Sequence, residues 1–325
     1  MTAGAMRARD RLLARRTELA ELAEHREEER LVELMRRVDS ALGAIESGTW
    51  GICAVCRAPI AADRLAADPL VTVCLECLPE AGRRELERDL ESAARVQRAL
   101  LPETQVRHSG WEIAFLWEPL GAVSGDHVDI LLPRHGEESL HLLLGDVAGK
   151  GVAASLLQSH LHALFRALGP NEMPLVELVG RANRLFSEAT AAASYATLAA
   201  LRLHPDGRAE LANAGHPRPL FADARGVRPV EGAGLPLGLF GEATYSRREL
   251  RLSPGETLLF FTDGWIEAER AGEEYGIGRA AAALRRAADR PLPELLAACR
   301  SDVEQFLAGS RRGDDLTLVA VRRIG

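Results

Sequence analysis

The N-terminal part of the chain repeats apolar residues with the period of an α-helix. Between Arg7 and Leu42 there is no proline or glycine, and the strong helix formers Ala, Leu, Glu and Arg dominate. A charged patch at residues 24–30 interrupts the repeat. Apolar side chains spaced by three, four or seven residues predict one stripe along the helix. The stripe consists of Leu12, Leu19, Leu22, Leu31, Leu34, Val38, Leu42 and Ile45.

Two interpretations of the interrupted stripe stay open. The segment is either one long helix in a coiled coil with a polar gap, or a helical hairpin whose tip is the charged patch. The coiled coil requires a partner chain, because one apolar stripe cannot bury itself. On that basis we expect a homodimer formed through the N-terminal helices.

The middle of the chain reads as a compact module followed by a helix. Gly48 opens the module, which extends to Leu78. A second helix is predicted from about Arg83 to Leu101, and Pro102 ends it because proline cannot continue a helix. This helix has the position of a connector to the next domain.

From about Gly110 onward, short apolar runs end in Gly, Pro and Asp turns, which predicts β-strands, several of them antiparallel. Longer helical patterns cover residues 152–167, 175–189 and 279–308. Strands interspersed with helices predict an α+β sandwich in which helices flank a two-sheet core. The predicted strands begin at Trp111, His141, Tyr195, Ala209, Leu258 and Leu316.

These patterns divide the chain into four expected parts. They are a helical or coiled-coil segment (1–47), a cysteine-rich module (48–80), a linker helix (81–102) and the sandwich domain (103–325).

Composition narrows the classes of function. An apolar fraction of 47% is sufficient for a buried core, and the net charge of −7 leaves no global basic surface for nucleic acid. No apolar run approaches about 18 residues, so no membrane span is expected. The basic N-terminus lacks the apolar stretch of a signal peptide. We therefore expect a cytoplasmic protein that binds neither membranes nor nucleic acid directly.

Four cysteines have the spacing of a structural zinc site. Cys53 and Cys56 form one CxxC pair, and Cys74 and Cys77 form the second. Two such pairs typically provide the four thiolates of a tetrahedral Zn²⁺ site, and structural disulfides are disfavoured in the cytosol. The fifth cysteine, Cys299, lies in a predicted helix and is expected to be a small buried apolar residue.

Four aspartates lie beside glycine-rich turns in distant parts of the chain. Asp146 and Asp263 follow apolar runs, while Asp126 and Asp314 lie in Ser-Gly-Asp and Gly-Asp-Asp motifs. Carboxylates gathered in one place cannot all stay ionised without a cation, and all-oxygen ligands favour Mg²⁺ or Mn²⁺. Two such ions would bind a phosphate and activate a water. The pattern predicts a metal-dependent phosphoryl hydrolase.

Residues 43–77 resemble the zinc finger of the DksA/TraR family. The resemblance is carried by the ESGTWGIC sequence that ends at Cys53, the RAPI sequence after Cys56, the DRL sequence and the cysteine spacing. In that family the finger docks on RNA polymerase, and acidic residues at a coiled-coil tip enter a channel. Here residues 27–29 are acidic, but the helix is short, so a structural or partner-docking role for the finger is the preferred expectation.

The region from about Ala94 to the C-terminus resembles the SpoIIE-like branch of the PPM-type, metal-dependent serine/threonine phosphatases. The resemblance implies the PPM-type β-sandwich flanked by helices. It rests on motifs in this order: 94–102 (ARVQRALLP), 123–126 (VSGD), 145–151 (GDVAGKG), 212–217 (ANAGHP), 234–239 (GLPLGL), 261–268 (FTDGWIEA) and 314–321 (DDLTLVAV).

The resemblance also implies roles for single residues. Asp146 bridges two Mn²⁺ or Mg²⁺ ions. Asp126 and the carbonyl of Val147 complete the coordination of one ion, and Asp263 and Asp314 complete the coordination of the other. Those four aspartates are the expected catalytic residues.

Residues close to these ligands are expected to support them or to shape the turns around them. By the same resemblance, Asp315 either supports the ligands or joins them. Eukaryotic relatives have a histidine two residues after the bridging aspartate, which is a proposed acid for the leaving group, and this chain has Ala148 there. His127 is expected to be a solvent-facing loop residue. His216 is expected to stabilise a turn. Lys150 is the only lysine of the chain, and a compact point charge suits a tight turn near phosphate.

The resemblance implies a phosphoserine or phosphothreonine protein as substrate. In the related branch the substrate is a small antagonist of an anti-sigma factor, and an N-terminal sensor acts through a linker helix. The alternative is a transcription-associated binding protein that uses its zinc finger and coiled coil and carries a vestigial phosphatase fold. The four aspartates favour the enzyme, since a vestigial site has no need to keep them.

Overall fold

The fold is taken from a computed structural model, which describes residues 3–23, 29–77, 80–133, 138–169, 173–190 and 194–325. The chain divides into two compact units, one ending at Asp89 and the other running from Leu90 to Gly325. The division point lies inside one helix. The acidic residues 27 and 28 of the predicted tip are outside the described residues.

The described part of the chain contains α-helices and one short 3₁₀ helix, Leu75–Cys77. In chain order the α-helices are α1 (Ala3–Ala23), α2 (Glu29–Glu46), α3 (Ala62–Ala67), α4 (Glu80–Leu100), α5 (Gly151–Leu168), α6 (Leu175–Ala189), α7 (Asp263–Ile266), α8 (Gly276–Ala287) and α9 (Leu292–Leu307).

The described strands all lie in the second unit. In chain order they are β1 (Gln105–His108), β2 (Trp111–Glu118), β3 (Asp126–Leu131), β4 (Leu140–Val147), β5 (Ala196–Leu203), β6 (Arg208–Ala214), β7 (Leu220–Asp223), β8 (Gly226–Pro229), β9 (Arg247–Arg251), β10 (Thr257–Phe261), β11 (Glu269–Arg270), β12 (Glu273–Glu274) and β13 (Leu316–Arg323).

Helices α1 and α2 form a helical hairpin. Only residues 24–28 separate them, and the two helices pack against each other, which one continuous helix could not do. Arg16 and Asp39 form an ion pair across the contact, with 2.6 Å between Nε and Oδ1. The hairpin is thus the correct one of the two interpretations. The buried contact is made by Ala5, Ala8, Leu12, Val38, Ala41 and Ile45.

The second unit is a sandwich of two antiparallel sheets. One sheet has six strands in the order β1-β2-β13-β10-β7-β8, and the other has five in the order β3-β4-β5-β6-β9. The facing sides of the sheets share an apolar core that includes Trp111, Val128, Leu142 and Phe260. This architecture confirms the predicted α+β sandwich.

Helices cover the outer side of each sheet. Helices α8 and α9 pack on the six-stranded sheet through a core that includes Trp265 and Tyr275. Helices α5 and α6 pack on the five-stranded sheet through a core that includes Phe165 and Phe186. Four layers result, because each sheet is apolar on both faces and needs cover on both.

The structure confirms the six predicted strands, but one helical prediction is wrong. The pattern assigned to 279–308 is two helices, α8 and α9, separated by residues 288–291. Pro291 immediately precedes α9. Proline is tolerated at the start of a helix because the first backbone N–H groups make no hydrogen bond within the helix. Strand β3 was not predicted, because its sequence, DHVDIL, mixes charged and apolar residues although all of them are buried.

Among the residues that the structure describes, no helix combines the length and the apolar character needed to cross a bilayer.

Candidate active site and zinc cluster

Two of the predicted ligands lie side by side in the five-stranded sheet. Strands β3 and β4 are antiparallel, and their register places Asp126 directly opposite Asp146. Side chains of directly opposed residues point to the same face of a sheet. The two carboxylates, 20 residues apart in sequence, are therefore neighbours at the end of this strand pair.

The other two predicted ligands belong to the six-stranded sheet. Asp263 begins α7 directly after β10, and Asp314 precedes β13, which pairs with β10. Gly264 allows this close approach, because a Cβ at that position would lie 1.9 Å from the carbonyl oxygen of Asp315 and 3.3 Å from the Cβ of Asp314. Only glycine fits between the two turns.

Hydroxyl groups join the two sheets at the site. Thr262 and Thr317, on the six-stranded side, both donate to Oδ2 of Asp126, at 3.0 and 2.5 Å. Thr262 Oγ1 also accepts a hydrogen bond from the backbone N–H of Thr317. Sequence reasoning missed both threonines, although each lies within three residues of a predicted ligand.

The carboxylates interact strongly with one another. Burial and the neighbouring charge of Asp146 raise the pKa of Asp126 well above its usual value. Burial, together with Asp263 and Asp314, raises the pKa of Asp146 to about 7. The pKa of Asp263 is also raised, by burial and by Asp314. These shifts have the sign expected of like charges that lack a compensating cation.

A carbonyl oxygen lies beside the carboxylate of Asp146. A Cβ placed on Gly125 would be 3.0 Å from the carbonyl oxygen of Val147 and 3.4 Å from Oδ1 of Asp146. Both oxygens thus border the same glycine. The structure brings together the predicted ligand groups of Asp126, Asp146 and Val147 from one sheet, and those of Asp263 and Asp314 from the other.

Lys150 already supplies one positive charge to this cluster. Its Nζ lies 2.7 Å from Oδ2 of Asp314 and 2.6 Å from the carbonyl oxygen of Gly313. The hydrogen bond to Asp314 raises the pKa of Lys150.

Asp315 binds the loop that carries Asp126. Its Oδ1 accepts the backbone N–H of Leu120 at 2.6 Å, and its Oδ2 accepts the hydroxyl of Ser124 at 2.6 Å and the N–H of Gly125 at 3.0 Å. Both oxygens are therefore engaged by the 120–125 loop.

A glutamine of α4 also forms hydrogen bonds with the backbone of this loop. Gln97 donates to the carbonyl of Ser124 (2.7 Å) and accepts its N–H (2.9 Å), and it also donates to Oε1 of Gln158 on α5 (3.1 Å). Gln158 Nε2 in turn lies 3.2 Å from Nδ1 of His127. A buried chain of amides thus links α4, the loop and α5. The sequence placed Gln97 in a motif but assigned it no role.

The prediction for His127 is wrong. It is not a solvent-facing loop residue but is fully buried on β3. Burial lowers its pKa to about 3, so its ring is neutral at physiological pH. Strand β3 is buried along its whole length because α5 covers one face and the facing sheet covers the other, which the sequence could not show.

His216 has the contacts of a turn-stabilising residue. The side chain of Asn213 accepts the backbone N–H of His216 and donates to its carbonyl, at 2.8 and 2.9 Å. Its Nδ1 lies 2.8 Å from Oγ1 of Thr197. These bonds bear out the expected role at a turn.

The donor set fits hard divalent cations. Carboxylate and carbonyl oxygens are the groups that Mg²⁺ and Mn²⁺ prefer, and the cluster is short of positive charge, as the raised pKa of Asp146 and the lysine contact both indicate. Asp126, Asp146, Asp263, Asp314 and the carbonyl of Val147 would hold these ions.

The four predicted zinc ligands form a cluster in the first unit. The sulfur atoms of Cys53, Cys56, Cys74 and Cys77 all lie within 4.8 Å of one another. The separation of Sγ of Cys56 from Sγ of Cys74 is 3.7 Å. Zn–S bonds of about 2.3 Å in a tetrahedron require sulfur atoms about 3.8 Å apart. Backbone N–H groups of Cys56 and Cys74 lower the pKa of Cys53 to about 6, whereas the neighbouring sulfur atoms raise the pKa of Cys77. Four crowded thiols cannot all ionise without a cation, so the cluster requires a metal ion to become four thiolates.

Comparison with known protein families gives two matches. The family described as stage II sporulation protein E (SpoIIE) matches residues 136–324. The family described as the prokaryotic dksA/traR C4-type zinc finger matches residues 48–81. Both resemblances expected from the motifs are thereby confirmed.

Individual relatives agree with the family matches. Phosphoserine phosphatase RsbU of Bacillus subtilis is 24% identical over 188 residues, which cover 57% of this chain and 55% of RsbU. The chain spans about half the length of the curated relatives it matches.

Solved structures share the fold of the second unit. The SiaA-PP2C domain of Pseudomonas aeruginosa has a TM-score of 0.64 at 23% identity, and the match covers 75% of this chain and 99% of that one. The RsbU and RsbW domains of Rv1364c from Mycobacterium tuberculosis have a TM-score of 0.57 at 30% identity, covering 69% of this chain and 62% of that one. The fold is therefore the PP2C-like, or PPM-type, fold predicted from the motifs.

Proposed function

Because the chain belongs to the SpoIIE family, as the match over residues 136–324 shows, we propose that it is a phosphatase of phosphoserine and phosphothreonine in proteins. The reaction depends on two Mn²⁺ or Mg²⁺ ions. The observation that carries the proposal is the convergence of carboxylates from both sheets on one place, where Asp146 interacts electrostatically with Asp126, Asp263 and Asp314.

When bound, the two ions would supply an activated water and stabilise the negative charge of the phosphoryl group. The residues of the chain hold and orient them. Asp146, on β4, interacts electrostatically with Asp126 and also with Asp263 and Asp314, which suits a ligand shared by both ions. Thr262 and Thr317 fix the carboxylate of Asp126 by hydrogen bonds to one of its oxygens.

We assign Asp315 a positioning role rather than direct ligation. Its two oxygens already accept three hydrogen bonds from the loop that leads to Asp126. Breaking those bonds to bind a metal would leave the buried backbone N–H of Gly125 without a partner, which costs about 1–3 kcal/mol.

We propose a small phosphorylated antagonist of an anti-sigma factor as the substrate. The relative named phosphoserine phosphatase RsbU supports this assignment, and so does the fold shared with a chain that joins RsbU and RsbW domains. The net charge of −7 supports a protein rather than a nucleic acid as partner.

The N-terminal unit is proposed as the regulatory and docking part. Zn²⁺ bound by the four cysteines would hold the cysteine-rich module together, while the hairpin buries much of its apolar stripe within the chain. Homodimerisation through the N-terminal helices, docking on RNA polymerase and a cytoplasmic location stay predictions. The alternative, a binding protein with a vestigial phosphatase fold, predicts no hydrolysis in any divalent metal.

The proposal is tested by hydrolysis of p-nitrophenyl phosphate and of a phosphoserine peptide in Mn²⁺. Wild type is expected to hydrolyse both, and Asp146→Asn to lose at least about 10³-fold in kcat, because electrostatic stabilisation of that size is lost with a single group. The matched control is Asp206→Asn, which changes an exposed loop aspartate and is expected to act like wild type.

Two results would contradict the proposed phosphatase activity. One is a wild type that hydrolyses neither substrate in Mn²⁺ or Mg²⁺. The other is an Asp146→Asn variant that keeps wild-type activity, because hydrolysis would then come from a different site or a contaminant.

A further inference from the structure

Lys150 is placed where a side chain of its charge is not expected on local grounds. It is the residue that immediately precedes the first turn of α5. The backbone N–H groups at a helix N-terminus carry a partial positive charge, so a cation there is unfavourable by a few tenths of a kcal/mol. The chain otherwise uses arginine at every strongly basic position. Both facts indicate that the positive charge of this residue acts through contacts outside its own helix.

The contacts of Lys150 show what that role is. Its Nζ donates to the carbonyl of Gly313 and to the Oδ2 oxygen of Asp314, and the contact with Asp314 ties this residue to the carboxylate cluster. The side chain is 61% exposed, so it can leave this position without disturbing a packed core.

We propose that Lys150 is a resident counter-cation of the metal site. In the metal-free protein it neutralises Asp314 and keeps the Gly313–Asp314 turn next to the glycine-rich turn after β4. A divalent ion that binds Asp314 competes with the ammonium group for the same carboxylate. Lys150 thereby sets how much free Mn²⁺ or Mg²⁺ is needed to fill the site. The inference rests on the proposed function, since it concerns the same carboxylates.

A different role would give the opposite result. If Lys150 mainly oriented Asp314 for the metal, its removal would leave a mobile ligand and would weaken metal binding. If it competes with the metal, its removal takes away both a competitor and a repelling charge, and binding becomes tighter. The sign of the change in affinity therefore separates the two roles.

The test is a calorimetric titration of the full-length, zinc-loaded protein with Mn²⁺, repeated by measuring free Mn²⁺ with electron paramagnetic resonance. We expect Lys150→Met to lower the Kd for Mn²⁺ about three- to tenfold relative to wild type. Lys150→Gln is expected to do the same, because its amide can still donate to Gly313 but carries no charge. Lys150→Arg keeps the charge and is expected to stay within about threefold of wild type.

Arg218→Met is the control for net charge. It removes one cation from an exposed ion pair with Glu231, and its Kd is expected to stay within about twofold of wild type. A Kd that is unchanged or higher in both Lys150→Met and Lys150→Gln, measured on variants with wild-type circular dichroism, overturns the inference. If wild type binds Mn²⁺ and hydrolyses phosphoserine, that result leaves the proposed function standing. If wild type neither binds Mn²⁺ nor hydrolyses, both fall together.

Discussion

At the scale of single residues, the site gathers negative charge that the fold alone does not neutralise. Asp126 is almost completely buried, and Asp146 lies next to it with a pKa raised to about 7. The hydroxyl groups of Thr262 and Thr317 reduce the free-energy cost of burying the Asp126 carboxylate by donating hydrogen bonds to it. Because they are neutral, they cannot balance its negative charge. Because the cluster is short of positive charge, its electrostatics are those expected of the proposed metal site rather than of a structural charge cluster.

The raised pKa of Asp146 has a consequence for stability in the absence of divalent metal. A carboxyl with a folded-state pKa of about 7 and an unfolded-state value of 3.8 binds its proton more tightly when folded. Its favourable contribution is complete below about pH 4 and is lost as the pH rises through about 7. Asp146→Asn, which stays neutral, is therefore expected to be more stable than wild type at pH 8, on the order of 1–3 kcal/mol.

Thermal unfolding without added Mn²⁺ or Mg²⁺ checks this expectation. The difference in Tm between the variant and wild type should be several degrees at pH 8 and should shrink towards pH 5. A saturating concentration of Mn²⁺ should reverse the order at pH 8, since only wild type keeps the shared ligand. A variant less stable than wild type at both pH values would show that Asp146 is not held in a charge-crowded environment.

At the scale of elements, helix α4 is tied to the site by the buried side-chain amide of Gln97. Gln97 satisfies both backbone groups of Ser124, two residues before Asp126, and also bonds to Gln158 on α5. The 120–125 loop is thus held on one side by α4 and on the other by Asp315, which precedes β13. A shift of α4 would therefore change the position of a predicted metal ligand.

We expect Gln97→Ala to loosen the loop. The substitution removes three hydrogen bonds and leaves the N–H of Ser124 buried without a partner, a loss of about 2–3 kcal/mol in the free energy of unfolding. Hydrogen exchange of the loop should become faster, and the Kd for Mn²⁺ should rise.

Gln105→Ala is the matched control, because that glutamine bonds near the surface to Glu112, away from the loop. It is expected to cost less than about 1 kcal/mol and to leave loop exchange unchanged. Equal exchange of the loop in the Gln97 and Gln105 variants would mean that α4 does not hold it.

At the scale of the whole molecule, each compact unit has its own means of stabilisation. The second unit has three extensive apolar cores. The cysteine module of the first unit has a small one, in which Cys53, Ile60 and Leu65 are the buried residues. So little apolar surface cannot order the module by itself, and metal binding must contribute much of its folding energy.

Loss of one zinc ligand should therefore affect the first unit selectively. We expect Cys74→Ser to reduce bound zinc from about one per chain to none, and to make residues 48–77 sensitive to protease. The thermal transition of the second unit should move by no more than a few degrees. Elemental analysis and limited proteolysis measure these outcomes.

Cys299→Ala is the control for this experiment. Cys299 lies on α9, in the second unit, with its side chain buried in the core, and its loss should leave the zinc content unchanged. A Cys74→Ser variant that retains a full equivalent of zinc would rule out a four-cysteine site.

The motifs alone were sufficient for the kind of site and the kind of fold. Short apolar runs identified β2, β4, β5, β6, β10 and β13, since period and turn residues are local properties. The cysteine spacing and the acidic turns identified the metal chemistry for the same reason, because ligand type is a property of each side chain. These features depend on local sequence and not on contacts with distant segments.

Tertiary structure decided the features that depend on pairing between distant segments. The register of β3 against β4 places Asp126 opposite Asp146, and α5 buries His127, which in isolation looked like a loop residue. The contact of α1 with α2 selected the hairpin, and the approach of Lys150 to Asp314 spans 164 positions of sequence. Register and burial arise from the packing of whole elements, so no local pattern encodes them.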